Sequence, residues 1–395
     1  MKRNSTIDCI RVLAIIKVIS VHVESVKSLH HEWSAIFMSH VNFAVAFFIV
    51  ISGYQWGKKI RAGNPVGQVY AKYSLGLIKL FVLWSLFYIF VADGAISEYT
   101  HYGVLSPLKI CYWNCQHLLT ARGPLWKGVL DIFLDGTKYH LWFLMGLVWA
   151  ATITAILVKL KRESWLIWVG LTLYVFQALV SILSETSVGF SLPFDVIHGP
   201  FLATFFFVVG WRLSSRQGTF SLKPAIALLS GGFAVLVIAL LVVRSGLGFM
   251  AVKPFFETTL GIGAALLALS RPSLGTDTIL ASLGQRVLGI YLIHPVFINF
   301  LRPFFYYIPT PVRDIGFTAV VFFSSVIAVL ILQKIRILGP FFATSRIAKP
   351  AAERGAATAA VTEDQYPSNG QRNPLVPDLA SAYRKVLKNL RYRLW

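Results

Sequence analysis

The sequence predicts an all-α, polytopic integral membrane protein with about ten transmembrane helices and both termini in the cytoplasm. Of its 395 residues, 56% are hydrophobic and 14% are charged, whereas soluble proteins have roughly 45–50% apolar and about 25% charged residues. The mean hydropathy is +0.66. The net charge of +20 falls largely beside the apolar blocks and in the C-terminal tail, so anionic lipid is a better partner for the basic residues than nucleic acid.

The topology follows from ten apolar segments, because a bilayer needs about 20 apolar residues per helix. The predicted spans are 8–26, 35–56, 73–92, 140–158, 164–183, 197–213, 224–243, 254–270, 285–301 and 315–333. Basic residues favour one side of the connections, which the positive-inside rule assigns to the cytoplasm. They are Lys2, Arg3, Lys58, Lys59, Arg61, Lys159, Lys161, Arg162, Arg212, Arg216, Lys223, Arg271 and Arg286.

The chain divides into a transmembrane domain, 1–340, and a polar tail. Residues 341–377 are rich in Ala, Pro and Gly and predict a flexible linker. In 378–395, Leu, Tyr and Val recur at helical spacing with Arg and Lys between them. This pattern predicts a basic amphipathic helix on the anionic inner leaflet, with a solvated charged tail as the alternative.

The first span contains polar residues that are expensive in lipid. In IRVLAIIKVISVH, Arg11 and His22 share one helical face and lie about 16 Å apart. Asp8 precedes Arg11 by one turn on nearly the same face, whereas Lys17 lies on another. Such a face must point into the bundle or into a water-filled cavity. The alternatives are an Asp8–Arg11 pair at the membrane interface and a packing histidine held by a hydrogen bond.

Arg11 and His22 together suggest a reaction. A neutral imidazole in a cavity of low dielectric constant can act as a general base, and an arginine near the cytoplasmic end can bind phosphate. The two residues therefore predict a reaction between a phosphate-bearing cytosolic molecule and a group met deeper in the membrane.

Four motifs in chain order resemble those of the acyltransferase family 3 membrane proteins. IDCIRVLAIIKVISVH, with its R-x10-H pattern, is similar to the family's first helix, and FFIVISGYQWGKK to its Ser-Gly signature. YHLWFL resembles the entry to helix four, and SLGQRVLGIYLIHPVF the Tyr-x-x-His-Pro motif of the penultimate helix. The resemblance implies transfer of an acyl group, usually acetyl from acetyl-CoA, to a hydroxyl of a cell-surface polysaccharide or its lipid-linked precursor. It also implies a bacterial inner-membrane location, without a permanently bound cofactor or metal.

The resemblance implies roles for residues of the first two helices. His22 would be the catalytic base, and Arg11 would help to bind the donor or to position the first helix. Ser52 and Gly53, at the cytoplasmic end of the second helix, would allow close approach of the backbone to the donor. Helix packing through small residues is the alternative for Ser52 and Gly53.

Two positions depart from the family pattern. Phe48 fits the aromatic pair before Ser-Gly, but Ile49 occupies its second place. The R-x-x-R segment that opens helix three is absent from YAKYSLGLIKLFVLW, where Lys72 and Lys79 are the basic residues. Lysine neutralises a CoA phosphate without the bidentate geometry of arginine. Lys72 and Lys79 are therefore the predicted donor contacts on this helix.

We expect the acceptor to bind near the depth of His22, toward the outer side. The candidate residues are His140, Trp142, Glu257, His294, Tyr291 and Asn42. An interfacial aromatic belt is the alternative for Trp142. Packing is the alternative for Asn42, and a structural histidine is the alternative for both His140 and His294.

Several alternatives stay open from the sequence. The donor carries acetyl, succinyl or a longer acyl group, and transfer is either direct or passes through an acyl-histidine. The rival functions are a transporter or flippase that uses the same polar face and a membrane-anchored interaction protein. Cys111 and Cys115 are either a short disulfide or two free thiols.

Overall fold

The computed structural model describes residues 3–23, 43–91, 106–120, 125–184, 194–242, 246–305 and 312–335, with a few isolated residues in the connections between them. Its contacts divide the chain into a first unit, Met1–Thr344, and a second unit, Ser345–Trp395. Apart from Phe342, the predicted linker 341–377 and amphipathic helix 378–395 lie outside the described residues, so both stay predictions.

All regular structure in these described ranges is helical, which confirms the all-α class. The α-helices in chain order are α1 Ser5–Val23, α2 Phe43–Arg61, α3 Val66–Ile89, α4 Ser106–Thr120, α5 Leu125–Asp135, α6 Trp142–Lys159, α7 Leu166–Ser184, α8 Pro200–Ser214, α9 Lys223–Val242, α10 Gly246–Ser270, α11 Ile279–Gly284, α12 Val287–Phe305 and α13 Val312–Leu332.

Six helices of the described part are long and apolar enough to cross a membrane. They are Val66–Ile89, Trp142–Lys159, Glu163–Ser184, Val252–Ser270, Val287–Phe305 and Ile315–Leu332. α8 and the first part of α9 are shorter apolar helices. α1 carries Asp8, Arg11 and Lys17 and is not among the six. The membrane character is therefore supported, while the count of ten spans and the cytoplasmic position of both termini stay predictions.

The long connection between the third and fourth predicted spans contains two helices, α4 and α5. α5 exposes Trp126, Val129 and Phe133, which follow each other at helical spacing along one side. An apolar outer face of this kind suits contact with lipid. Cys111 and Cys115 lie one turn apart on α4, and both thiols are free in the structure.

The start of α1 is fixed by hydrogen bonds to α10 and to the connection that follows it. The Asn4 side-chain oxygen accepts the Ile7 N–H at 2.9 Å and caps the helix. The Asn4 amide donates to the Ala268 carbonyl at 2.8 Å, and the Ser5 N–H donates to the Pro272 carbonyl at 2.9 Å. α1 then packs against α2, α11, α12 and α13. This anchoring holds the polar face of α1 inside the bundle.

α2 and α8 approach each other closely through glycines. A Cβ atom on Gly53 would lie 2.8 Å from the Phe207 carbonyl carbon, and one on Gly210 would lie 2.7 Å from the Tyr54 backbone nitrogen. Real Cβ contacts essentially never fall below 3.0 Å. The absence of side chains at Gly53 and Gly210 therefore sets the spacing of these two helices, as small residues do in membrane bundles.

Candidate active site

His22 lies at the end of α1, against two rings from other parts of the chain. Its ring centroid is 5.5 Å from that of His294 on α12, with the two planes 24° apart. It is 4.6 Å from the ring centroid of Tyr139, which precedes α6. His22 is partly exposed, and Tyr139 is exposed.

His140 and His294 are enclosed beside His22. Their exposed fractions are 1% and 0%, and their ring centroids are 5.3 Å apart. We call His22, His140 and His294 the imidazole cluster. In the ranges that the structure describes, no group of three or more His, Cys, Asp or Glu side chains has the arrangement of a metal site. The structure thus brings together two acceptor candidates and the candidate base.

The tautomer of His294 follows from its backbone contact. Its Nδ1 lies 2.6 Å from the Tyr291 carbonyl oxygen. A carbonyl oxygen only accepts hydrogen bonds, so Nδ1 carries the hydrogen and Nε2 keeps a lone pair. Within the described residues Nε2 has no hydrogen-bond partner. A buried acceptor of this kind is expensive unless a ligand or water satisfies it, so His294 offers an acceptor atom beside His22.

Two tyrosines hold the imidazole cluster together. The Tyr291 hydroxyl donates to the His140 carbonyl, and the Tyr88 hydroxyl donates to the Leu292 carbonyl at 2.7 Å. The Tyr88 ring also lies edge-on to His140, with centroids 5.2 Å apart. These contacts connect α3, the segment before α6, and α12. Tyr291 was predicted at the site, whereas Tyr88 was not, because nothing in its aromatic-rich segment distinguishes it.

Arg11 lies within an ionic network about 16 Å from His22 along α1. Its Nη1 is 3.1 Å from Asp8 Oδ1, and the other Asp8 oxygen is 2.8 Å from Arg3 Nε. Arg11 Nη2 also donates to the Gln55 side-chain oxygen of α2 at 3.4 Å. The predicted shared face of Asp8 and Arg11 is confirmed, and their ion pair agrees with the alternative interpretation of Arg11. Its part in donor binding stays a prediction.

Ser52 and Gly53 lie on the part of α2 that packs against α8. The Ser52 hydroxyl donates to the Phe48 carbonyl at 2.8 Å, one turn earlier in the same helix. Gly53 faces the backbone of Phe207 on α8. These contacts account for both residues by helix structure, and their approach to a donor stays a prediction.

Lys72 and Lys79 lie on the exposed face of α3. They share this face with Leu75, Val82 and Leu86, whose exposed fractions are 65%, 49% and 55%. The buried face of α3 is on the other side. The structure therefore does not bring these two lysines to Arg11, and their role in donor binding stays a prediction.

The remaining acceptor candidates lie in separate places. Trp142 stacks on His198, with centroids 4.9 Å apart, and His198 Nδ1 is 2.6 Å from an oxygen of Asp135. His198 and Asp135 were not predicted, since the chain between them gives no spacing signal. Glu257 lies beside Tyr174 of α7. Asn42 lies outside the described residues.

The sequence profile of the acyltransferase family 3 domain, described as an acyltransferase domain, matches residues 4–334. The chain belongs to acyltransferase family 3. Searches of curated proteins and of solved structures each found no match.

Membership of acyltransferase family 3, together with the six apolar helices, indicates an integral membrane acyltransferase. The matched range contains the imidazole cluster, Arg11 and the α2–α8 contact, and it ends before the C-terminal tail. The family's domain therefore coincides with the helical part of the chain that holds the candidate site.

Proposed function

We propose that this protein transfers an acetyl group from acetyl-CoA to a hydroxyl of a cell-surface polysaccharide or its lipid-linked precursor, in the bacterial inner membrane. The observation that supports the proposal best is the position of the His22 imidazole, which contacts His294 and Tyr139. It lies at one end of the polar face of α1, and Arg11 lies at the other end. A base and a phosphate-binding cation are thus aligned along one helix.

The separation of these two residues fits the shape of the donor. Eleven residues of α-helix span about 16 Å. The phosphopantetheine arm that joins the CoA phosphates to the thioester is a chain of single bonds, on the order of 15–20 Å long when extended. A donor with its phosphates near Arg11 therefore places its thioester near His22.

The chemical step is a transfer from sulfur to oxygen. The His22 imidazole takes the proton of the acceptor hydroxyl while that oxygen attacks the thioester carbonyl. The tetrahedral intermediate then expels the CoA thiolate, which receives the proton from the imidazolium and leaves as CoA thiol. In the alternative, the neutral His22 imidazole attacks the thioester carbonyl and CoA leaves as the thiol with the imidazole proton. The acceptor hydroxyl then attacks the acetyl-imidazole and returns its proton to His22.

His294, His140 and Tyr291 belong to the acceptor side of this proposal. The lone pair of His294 Nε2 accepts a hydrogen bond from a hydroxyl of the acceptor and orients it toward His22. His140 and Tyr291 hold His294 and the segment before α6 in place through their mutual contacts. Such fixed positions are what a base needs to act on a bound hydroxyl.

The test replaces His22 with alanine and uses Lys17→Ala as the matched control on another face of α1. Mass spectrometry of surface glycans from intact cells measures the acetyl content of the product. We expect His22→Ala to abolish acetylation with normal membrane insertion, and Lys17→Ala to retain it. Acetylation that persists in His22→Ala contradicts the mechanism.

The same measurement separates the rival functions. A transporter or flippase changes the location of the glycan but not its mass. A scaffold that recruits partners through its basic tail loses its effect when residues 341–395 are deleted. We expect the shortened chain to retain acetylation.

A further inference from the structure

A group of aromatic and basic side chains lies at the ends of α2 and α8, outside the site described above. The Tyr54 ring lies edge-on to Phe220, with centroids 6.3 Å apart. The Lys58 ammonium is 5.7 Å from the Tyr54 centroid, and the Arg216 guanidinium is 5.3 Å from that of Phe220. Lys58 also donates to the Arg216 carbonyl at 3.3 Å. We call Tyr54, Lys58, Arg216 and Phe220 the α2–α8 patch.

The α2–α8 patch carries positive charge without a neutralising partner. Among the described residues, no carboxylate forms an ion pair with Lys58 or Arg216, or with neighbouring Arg61, which lies over Trp211 at 4.4 Å. An ammonium has three donors and a guanidinium five, so the hydrogen bond of Lys58 to the Arg216 carbonyl leaves donors available. The patch therefore favours an anion with several oxygens.

The position of the patch relates it to the polar face of α1. Gln55 follows Tyr54 in α2 and accepts a hydrogen bond from Arg11. A ligand on the α2–α8 patch is thus next to the helix turn that contacts Arg11, at the end of the bundle opposite His22. The lysines predicted from the helix-three segment lie instead on the outer face of α3.

We propose that the α2–α8 patch binds the nucleotide end of the acyl-CoA donor, with its adenine beside the Tyr54 ring and its ribose 3′-phosphate on Lys58 and Arg216, while its diphosphate lies near Arg11. This inference rests on the proposed function, because it assumes that the donor is an acyl-CoA. Arginine and lysine are the usual partners of phosphate, and a flat aromatic ring provides a stacking surface for a base. The extended arm then leads from the diphosphate near Arg11 toward His22.

Two competing roles for these basic side chains lead to different experimental results. Basic side chains stabilise the carboxyl ends of helices, and basic residues at a membrane surface bind anionic lipid headgroups. The helix-end role requires no ligand at all. The headgroup role shares the phosphate chemistry of the proposal but depends on the lipid.

The experiment measures CoA binding by the full-length protein in nanodiscs of phosphatidylcholine, by titration calorimetry. Lys58→Ala and Arg216→Ala are the test variants. Arg162→Ala is the matched control, because Arg162 also lies over an aromatic ring, Trp165, at 5.9 Å, but on the connection after α6. We expect each test variant to bind CoA about tenfold more weakly, the usual effect of losing a charged hydrogen bond, and the control to bind within twofold of the wild type.

Fragments of the donor separate the patch from the rest of the site. Pantetheine lacks the nucleotide, so we expect Lys58→Ala and Arg216→Ala to bind it as the wild type does. An unfolding temperature of each variant equal to that of the wild type shows that the fold is retained.

Three outcomes overturn the inference. In the first, both test variants bind CoA as tightly as the wild type, which leaves only the helix-end role. In the second, the variants bind CoA as the wild type does in phosphatidylcholine nanodiscs and lose CoA affinity only when the nanodiscs also contain anionic lipid. That result assigns the patch to lipid headgroups. In the third, the wild-type protein binds no CoA, which overturns the proposed donor as well and so differs from the first two.

Discussion

Gly53→Ala distinguishes helix packing from donor binding at the Ser-Gly signature. The added Cβ would lie 2.8 Å from the Phe207 carbonyl carbon and 3.0 Å from its Cα. Optimal carbon–carbon contacts are about 3.5–4.0 Å, and the Phe207 carbonyl oxygen lies closer still to the added Cβ, so α2 and α8 must move apart. Because the obstacle is backbone, no side chain can rotate away. Overpacking of this kind costs about 1–3 kcal/mol of folding free energy.

The matched control is Gly76→Ala on α3. A Cβ on Gly76 meets nothing within 4 Å, so the same substitution introduces no clash. Alanine in a helix interior is more stable than glycine by about 0.5–1 kcal/mol. The two variants are therefore expected to change stability in opposite directions.

The assay is thermal unfolding of both variants in the same detergent, with CoA affinity measured on the folded protein. We expect Gly53→Ala to lower the unfolding temperature by a few degrees and to leave the CoA dissociation constant within twofold of the wild type. An unchanged unfolding temperature with weakened CoA binding would refute the packing argument and support the donor role of Gly53.

Three further predictions concern the surroundings of the site. Tyr88→Phe removes the hydroxyl bound to the Leu292 carbonyl and is expected to destabilise the protein by about 1–3 kcal/mol in denaturation measurements, whereas an unchanged stability would exclude this hydrogen bond. Asp8→Asn leaves Arg11 without its charged partner, and we expect it to lower the unfolding temperature. In a double variant that also carries a neutral residue at position 11, we expect the unfolding temperature to be restored. A double variant that loses the sum of the two single effects would contradict the coupling between Asp8 and Arg11. Burial and a neighbouring guanidinium lower the pKa of Lys138 to about 8 from 10.5. The unfolded chain therefore binds more protons between these values, stability rises with pH across this window, and Lys138→Met is expected to abolish that rise.

The polar face of α1 was predictable because helical periodicity is local. The spacing of Asp8 and Arg11 placed them on one face, and their 3.1 Å ion pair confirms it. The same spacing placed His22 about three turns further along. Composition alone also indicated a helical membrane protein, since apolar blocks of sufficient length have few other stable structures in lipid.

The surroundings of His22 were not predictable in the same way. His294 and Tyr139 come from regions far apart in the chain, and their contact with His22 depends on how α1, α12 and the segment before α6 pack. The exposed position of Lys72 and Lys79 also depends on packing, because it reflects which side of α3 meets its neighbours. The sequence predicted Lys72 and Lys79 as donor contacts only because they lie in the helix-three segment where the family has its R-x-x-R motif.

The sequence by itself determined the helical membrane character, the family's ordered motifs and the alignment of Arg11 with His22, because each depends on composition or on spacing within one segment. Only the tertiary structure decided that His22, His140 and His294 form one cluster with Tyr88 and Tyr291. The physical reason is that helix rotation and spacing are set by contacts between helices, such as the close approach of α2 and α8.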